Sequence, residues 1–170
     1  MNKQHLSARC DYFNMVQGVT VRAMRVFSDD ELDFRPRPGM RTPRELIFHV
    51  YSQERLLAEA AQGGRFTSAM AETSSPENAS AASALKGLVT VGDLVAYADT
   101  CHQAAEAIFR SMSDDEIARP VESPFGNYPA WAYFMFACDE HWHHRGQLYS
   151  YLRLLGKEPP MLYDYAVTEA

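Results

Sequence analysis

The chain has 170 residues, 46% of them hydrophobic, enough to close one core without disulfide staples, so a single domain over 1–170 is expected. A net charge of −6 argues against nucleic acid and against an anionic membrane surface, since both reward clustered Lys and Arg. The chain has no run of about 18 apolar residues and no apolar signal stretch in MNKQHLSARCDYF, and its cysteines, Cys10, Cys101 and Cys138, are scattered, which together predict a cytoplasmic protein with reduced thiols.

Residues from Leu6 to Phe27 read as a first helix, its apolar face marked by Leu6, Tyr12 or Phe13, Val16, Val19, Ala23 and Val26. Gly18 inside it costs about 1 kcal/mol relative to Ala and is expected to mark a close helix contact. An acidic turn follows at Ser28-Asp29-Asp30-Glu31, and Phe34-Arg35-Pro36-Arg37-Pro38-Gly39 cannot be helical. Thr42 opens the second helix: it can cap, Pro43 suits the first helical position, and Glu45 completes a capping box. Leu46, His49, Val50, Gln53 and Leu57 share a face until Gly63-Gly64 ends the helix.

Residues 65 to 86 are small, polar and poor in large apolar groups, so they read as a long connection. Thr90 with Asp93 caps a third helix, Val91 to Met112, carrying Leu94, Tyr97, Ala98, Cys101, Ala105, Ile108 and Phe109. Ser113-Asp114-Asp115-Glu116-Ile117 then repeats Ser28-Asp29-Asp30-Glu31-Leu32, Arg119-Pro120 echoes Arg35-Pro36, and Gly126 and Pro129 echo Gly39 and Pro43. The pattern is two related helical hairpins, each built as helix, acidic turn, Pro/Gly loop and helix. The connection between helices two and three is far longer than the 2 to 8 residues or so usual between antiparallel neighbours, so the two helices should run parallel. After Gly156 the tail holds Pro159-Pro160 and then Met161, Leu162, Tyr163 and Tyr165, and its aromatics are expected to fold back on the bundle.

The fourth helix carries the chemistry. Through its segment DEHWHHRGQLYSYLRLLG, from Asp139 to Gly156, and the residues just before it, the stripe Phe134, Ala137, His141, His144, Leu148, Tyr151, Leu155 keeps helical spacing, with two histidines inside an apolar face. A buried imidazole needs a partner at each ring nitrogen, and a metal at mid-height in a helical bundle would supply one. His144 can share a metal with Glu140, four residues earlier, or with His141, three earlier; His143 points away. His49 is the natural ligand from helix two, with Gln53, Gln147, Tyr149 or Tyr151 to orient the ligands. Two histidines plus a carboxylate or third histidine, with a position left for water, fit a catalytic site for zinc or a similar divalent ion. The plainer alternative for His49 is a hydrogen-bonded core histidine. Paired Glu-x-x-His motifs for a di-iron site are missing, and no cysteine has an activating neighbour.

His143-His144-Arg145-Gly146-Gln147-Leu148, with Tyr151-Leu152-Arg153 and Leu155-Gly156, resembles the last-helix signature of the DinB/YfiT-like family. Pro38-Gly39-Met40-Arg41-Thr42, leading into Glu45-Leu46 and His49, resembles that family's second-helix motif, and the tail from Pro159-Pro160 to Asp164 is similar to its C-terminal segment. The resemblance implies an all-α fold, a four-helix bundle with a long crossover between helices two and three. It also implies a divalent metal (zinc, nickel or similar) held by three histidines, at positions occupied here by His49, Glu140 and His144. Glu140 stands where the family usually has histidine, and His141 follows it; either Glu140 ligates, or a slight rotation brings in His141. A carboxylate there would leave the ion less positive and shift its preference towards harder metals. Relatives include metal-dependent S-transferases and isomerases that use low-molecular-weight thiols, which implies a small-molecule thiol and an electrophilic substrate as partners, with a homodimer left open. The alternatives are metal-water hydrolysis with Glu140 as base, or a non-catalytic ligand-binding bundle with a vestigial metal site.

Overall fold

In the computed structural model, which describes residues 1–165, helix α1 (Lys3–Val26) begins where Asn2 caps the His5 amide and ends at the extended Phe27. A short 3-10 turn, Asp29–Asp33, leads through the Pro/Gly loop to α2 (Pro43–Gly63). The capping box forms: Thr42 Oγ1 accepts the Glu45 N–H at 3.2 Å and Glu45 Oε2 accepts the Thr42 N–H at 2.8 Å. Such a cap contributes about 1 kcal/mol and fixes where the turns of α2 begin, and hence which way His49 faces. Gly64, at φ +75°, terminates the helix in the left-handed region that glycine enters without a Cβ penalty.

The connection is more ordered than its composition suggests. It holds two short helices, α3 (Ser68–Thr73) and α4 (Ala79–Lys86), and buries Phe66, Ser74, Ala81 and Leu88. After it come α5 (Val91–Ser111), the one-turn α6 (Asp114–Ala118), a two-residue hairpin of β1 (Pro120–Val121) with β2 (Tyr128–Pro129), and α7 (Ala130–Leu154). The two acidic turns are structurally related. Ser28 and Ser113 each form a capping box with the glutamate three residues on, and Leu32 and Ile117 are both fully buried.

Cross-helix contacts set the directions. Ser7 meets Arg110, Asn14 meets His102 and Gln17 meets Asp99, so α1 and α5 run in opposite senses. Arg44 reaches the Leu88 carbonyl, Ser52 meets Tyr97 and Glu54 meets His102, so α2 and α5 run the same way. Residues 64–90 therefore carry the chain back along the length of α2. Against α7, Arg41 meets Tyr151 while Glu54 meets His141, an opposed pair. Phe13 packs on Phe134 and Arg145 bonds the Val16 carbonyl, so α1 and α7 run the same way.

The core is two apolar clusters, one towards each end of the long helices. Between them lies a polar layer of buried side chains, with Gln17 from α1, Ser52 and Glu54 from α2, His102 from α5, and His141, His144 and Arg145 from α7. Of the two candidates Tyr12 and Phe13, Phe13 is the core residue of its turn. Two sequence expectations need correction. Gly18 makes no close helix contact, since a Cβ there would meet only Arg22 Nη1 at 3.8 Å. In the tail, Tyr165 packs against the core, whereas Met161 and Tyr163 stay exposed. Among the described residues, no single helix is long and apolar enough to cross a membrane.

Candidate metal centre

At the rim of the polar layer, α2 supplies His49 and α7 supplies Glu140 and His144. Positions four apart on a helix lie only about 40° apart, so Glu140 and His144 project together from α7. Glu140 Oε2 lies 3.2 Å from His144 Nε2 and 3.5 Å from His49 Nε2, and the three ligand atoms all fall within 4.8 Å of one another. The imidazoles meet edge-on, with ring centroids 5.1 Å apart.

The outer ring nitrogens settle the tautomers. His49 Nδ1 donates to the Ser74 carbonyl at 2.8 Å, and His144 Nδ1 faces Gln147 Oε1 at 2.7 Å. Both partners are acceptors, so each Nδ1 carries a proton, and in the neutral ring each Nε2 lone pair points to the Glu140 carboxylate. Three acceptors converging on one point repel unless a cation stands among them. Protons on the imidazoles are one answer; a divalent ion taking two nitrogens and one oxygen is the other, and the donor set fits it. With protons on both Nε2 atoms, the hydrogen bond from His144 first, then that from His49, holds the Glu140 carboxyl well below the usual carboxylate range despite its partial burial.

His141, the other candidate for the third ligand, lies outside this group. Adjacent helix positions are 100° apart, so with Glu140 turned towards His49, His141 is turned into the core. There its Nε2 donates to Glu54 Oε2 at 2.9 Å, and its ring sits edge-on to both Phe13 and Tyr51. Of the proposed orienting groups, Gln147 holds His144, while Gln53 acts one step removed by accepting a bond from Ser74 Oγ at 2.7 Å. Tyr151 instead bonds the Arg41 carbonyl, and the Tyr149 hydroxyl has no hydrogen-bond partner among the described residues. His143 is exposed beside His144.

Two features escaped the sequence reading. Ser74, which orients His49, sits in the small polar connection, where nothing in the local pattern marks it. Glu54 had a signal: it lies four residues after Val50 and three before Leu57, on the apolar face of α2. It is 1% exposed and accepts from His102 Nδ1 at 2.7 Å as well as from His141. His102 Nε2 in turn meets Asn14 Oδ1 at 2.8 Å, while the Asn14 amide donates to Glu106 at 2.7 Å. Both ring nitrogens of His102 therefore face acceptors, which makes it an imidazolium paired with Glu54. Burial alone would lower the His102 pKa, but the hydrogen bond and charge of Glu54, together with the nearby Glu106 and Asp99 carboxylates, outweigh it and the value is raised.

A family model described as the DinB superfamily matches residues 12–148. Among solved structures, a DinB-like protein, YjoA, of Bacillus subtilis is 21% identical, with a TM-score of 0.68 over 90% of this chain and 96% of that one. At that identity the likeness is one of fold. No curated protein matches the chain.

Proposed function

The chain belongs to the DinB superfamily, and from that premise we propose that His49, Glu140 and His144 hold one divalent metal ion in a cytoplasmic, metal-dependent S-transferase that uses a low-molecular-weight thiol. The proposal includes a single domain and a four-helix bundle formed by α1, α2, α5 and α7 with the 64–90 segment as crossover. One observation carries the metal: a ring nitrogen of His49, one of His144 and a Glu140 carboxylate oxygen converge within 4.8 Å of one another. Three unpaired, buried cysteines suit a reducing compartment.

The roles of the residues follow from their partners. The Ser74 carbonyl and Gln147 Oε1 hold the two imidazoles in the tautomer that presents Nε2. Glu140 brings a negative charge, so the site favours harder divalent ions than three imidazoles would. An ion bound there would lower the pKa of a coordinated thiol and hold it as thiolate. Gln53, whose carbonyl oxygen is taken by Ser74, lines the same cavity as Glu140. With Glu140 turned to both histidines, it serves better as a ligand than as the free base a metal-water hydrolase needs.

The test is the metal content of protein purified without an affinity tag. One divalent ion per chain is expected, lost in His49→Ala, Glu140→Ala and His144→Ala but kept in His141→Ala. If His141→Ala empties the site while Glu140→Ala leaves it full, the ligand set is wrong. Metal-loaded protein should then consume a small thiol in the presence of an electrophile, and inactivity against such pairs would reject the transferase reading.

A further inference from the structure

Next to the cluster lies a cavity of about 330 Å3 walled by five aromatic side chains, Phe66, Phe125, Tyr128, Tyr133 and Phe136. Its position follows from helix geometry. On α2, Gln53 and Leu57 continue the face of His49 at steps of four; on α7, Phe136 and Tyr133 continue the face of Glu140 at steps of four and three. Because α2 and α7 run in opposite senses, both rows leave the cluster in the same direction. Glu140 consequently belongs to the cluster and to the cavity wall at once.

The lining has a definite chemistry. The rings pack edge-to-face, Tyr128 on Phe136 at 5.4 Å and Tyr133 on Phe136 at 5.5 Å between centroids, and this arrangement recognises a further ring. Among the described residues that line it, Glu140 alone is charged, and its carboxylate is turned to His49 and His144. An anion finds no cationic partner here, and a cation finds no free carboxylate. Phe125, carried out by the β1–β2 hairpin, is 72% exposed, an apolar surface that a bound ligand would cover. An apolar cavity of about 150 Å3 accommodates benzene, so this one has room for two fused rings.

We propose that this cavity binds a small, uncharged aromatic molecule of up to two fused rings, with its functional group directed towards Glu140 and Gln53. That such a molecule is the electrophile of the thiol transfer rests on the function proposed above; the binding itself does not.

The experiment is calorimetric titration of the whole chain with 2-naphthol, 2-naphthoate, cyclohexylmethanol and tetramethylammonium, each with metal-loaded and with chelator-treated protein. Saturable one-to-one binding of 2-naphthol is expected in both forms. In the chelator-treated protein the other three probes should bind at least about tenfold more weakly. Phe136→Ala should weaken 2-naphthol by about tenfold, and Phe125→Ser, at an exposed position that leaves the fold intact, by several-fold. Absence of saturable binding would overturn the proposal, as would unchanged affinity in both variants or tighter binding of tetramethylammonium. So would a dimer that Phe125→Ser splits without any naphthol binding, because the rings then cover a second copy. Naphthol binding in a chain that takes up no metal leaves the cavity assigned and removes the transferase reading instead.

Discussion

Replacing Glu54 by Ala should be among the most destabilising single changes in the chain. The carboxylate is 1% exposed and holds two imidazoles from two other helices, His102 at 2.7 Å and His141 at 2.9 Å. Its loss leaves the His102 imidazolium buried against Asn14 and leaves His141, whose Nδ1 already lacks a hydrogen-bond partner among the described residues, with none among them. Removing one member of a buried pair costs about 3–5 kcal/mol, a large share of the roughly 5–15 kcal/mol that keeps a domain folded. Glu59→Ala, which breaks an exposed pair with Arg55, should cost no more than about 0.5 kcal/mol and serves as the control.

The penalty should depend on pH in a definite sense. Burial pushes the Glu54 carboxyl up, but the charge and hydrogen bonds of His141 and His102 prevail and lower it from 4.5 to about 2, so its contribution is complete above 4.5 and is lost as pH falls through about 2. The His102 pKa is raised above 6.5, so its contribution is complete below 6.5 and is lost as pH rises through the raised value. The gap between wild type and Glu54→Ala in urea unfolding, followed by circular dichroism, should therefore be widest from about pH 4.5 to 6.5 and narrow on either side. A cost under about 1 kcal/mol, or a gap that keeps growing above pH 7, would refute the buried ion pair.

Two further outcomes are expected. Gln147→Leu removes the acceptor facing His144 Nδ1 and should weaken metal binding by about 10–100-fold in a competition titration, with the helical spectrum unchanged. Burial raises the thiols of Cys10 to about 11 and Cys138 to about 12 and also raises Cys101, so native protein at pH 8 should resist iodoacetamide while urea-unfolded protein reacts at all three; rapid labelling of the native chain would contradict this.

Much of the fold was legible because it is written locally. Thr42, Pro43 and Glu45 announce the start of α2, Thr90 and Asp93 that of α5, and the paired Ser-Asp-Asp-Glu turns mark both hairpins. The length of the connection foretold that α2 and α5 run the same way, since a chain cannot reverse twice without the residues to do it. Its small polar composition hid α3, α4 and the buried Ser74, whose carbonyl matters through a backbone atom that no residue type encodes.

By itself the sequence determined the periodicities: which residues share a helix face, and that Glu140 and His144 project together while His141 lies 100° from Glu140. Only the tertiary structure decided how far α7 is rotated about its own axis. That rotation follows from what each face meets. Phe13, Tyr51 and Glu54 form a buried recess that takes the His141 ring edge-on and hydrogen-bonds it, so His141 turns inward and Glu140 is left facing His49. A helix wheel shows the angle between two side chains, but the phase of the wheel is set by neighbours more than 80 residues away along the chain, such as Glu54, 87 residues before His141.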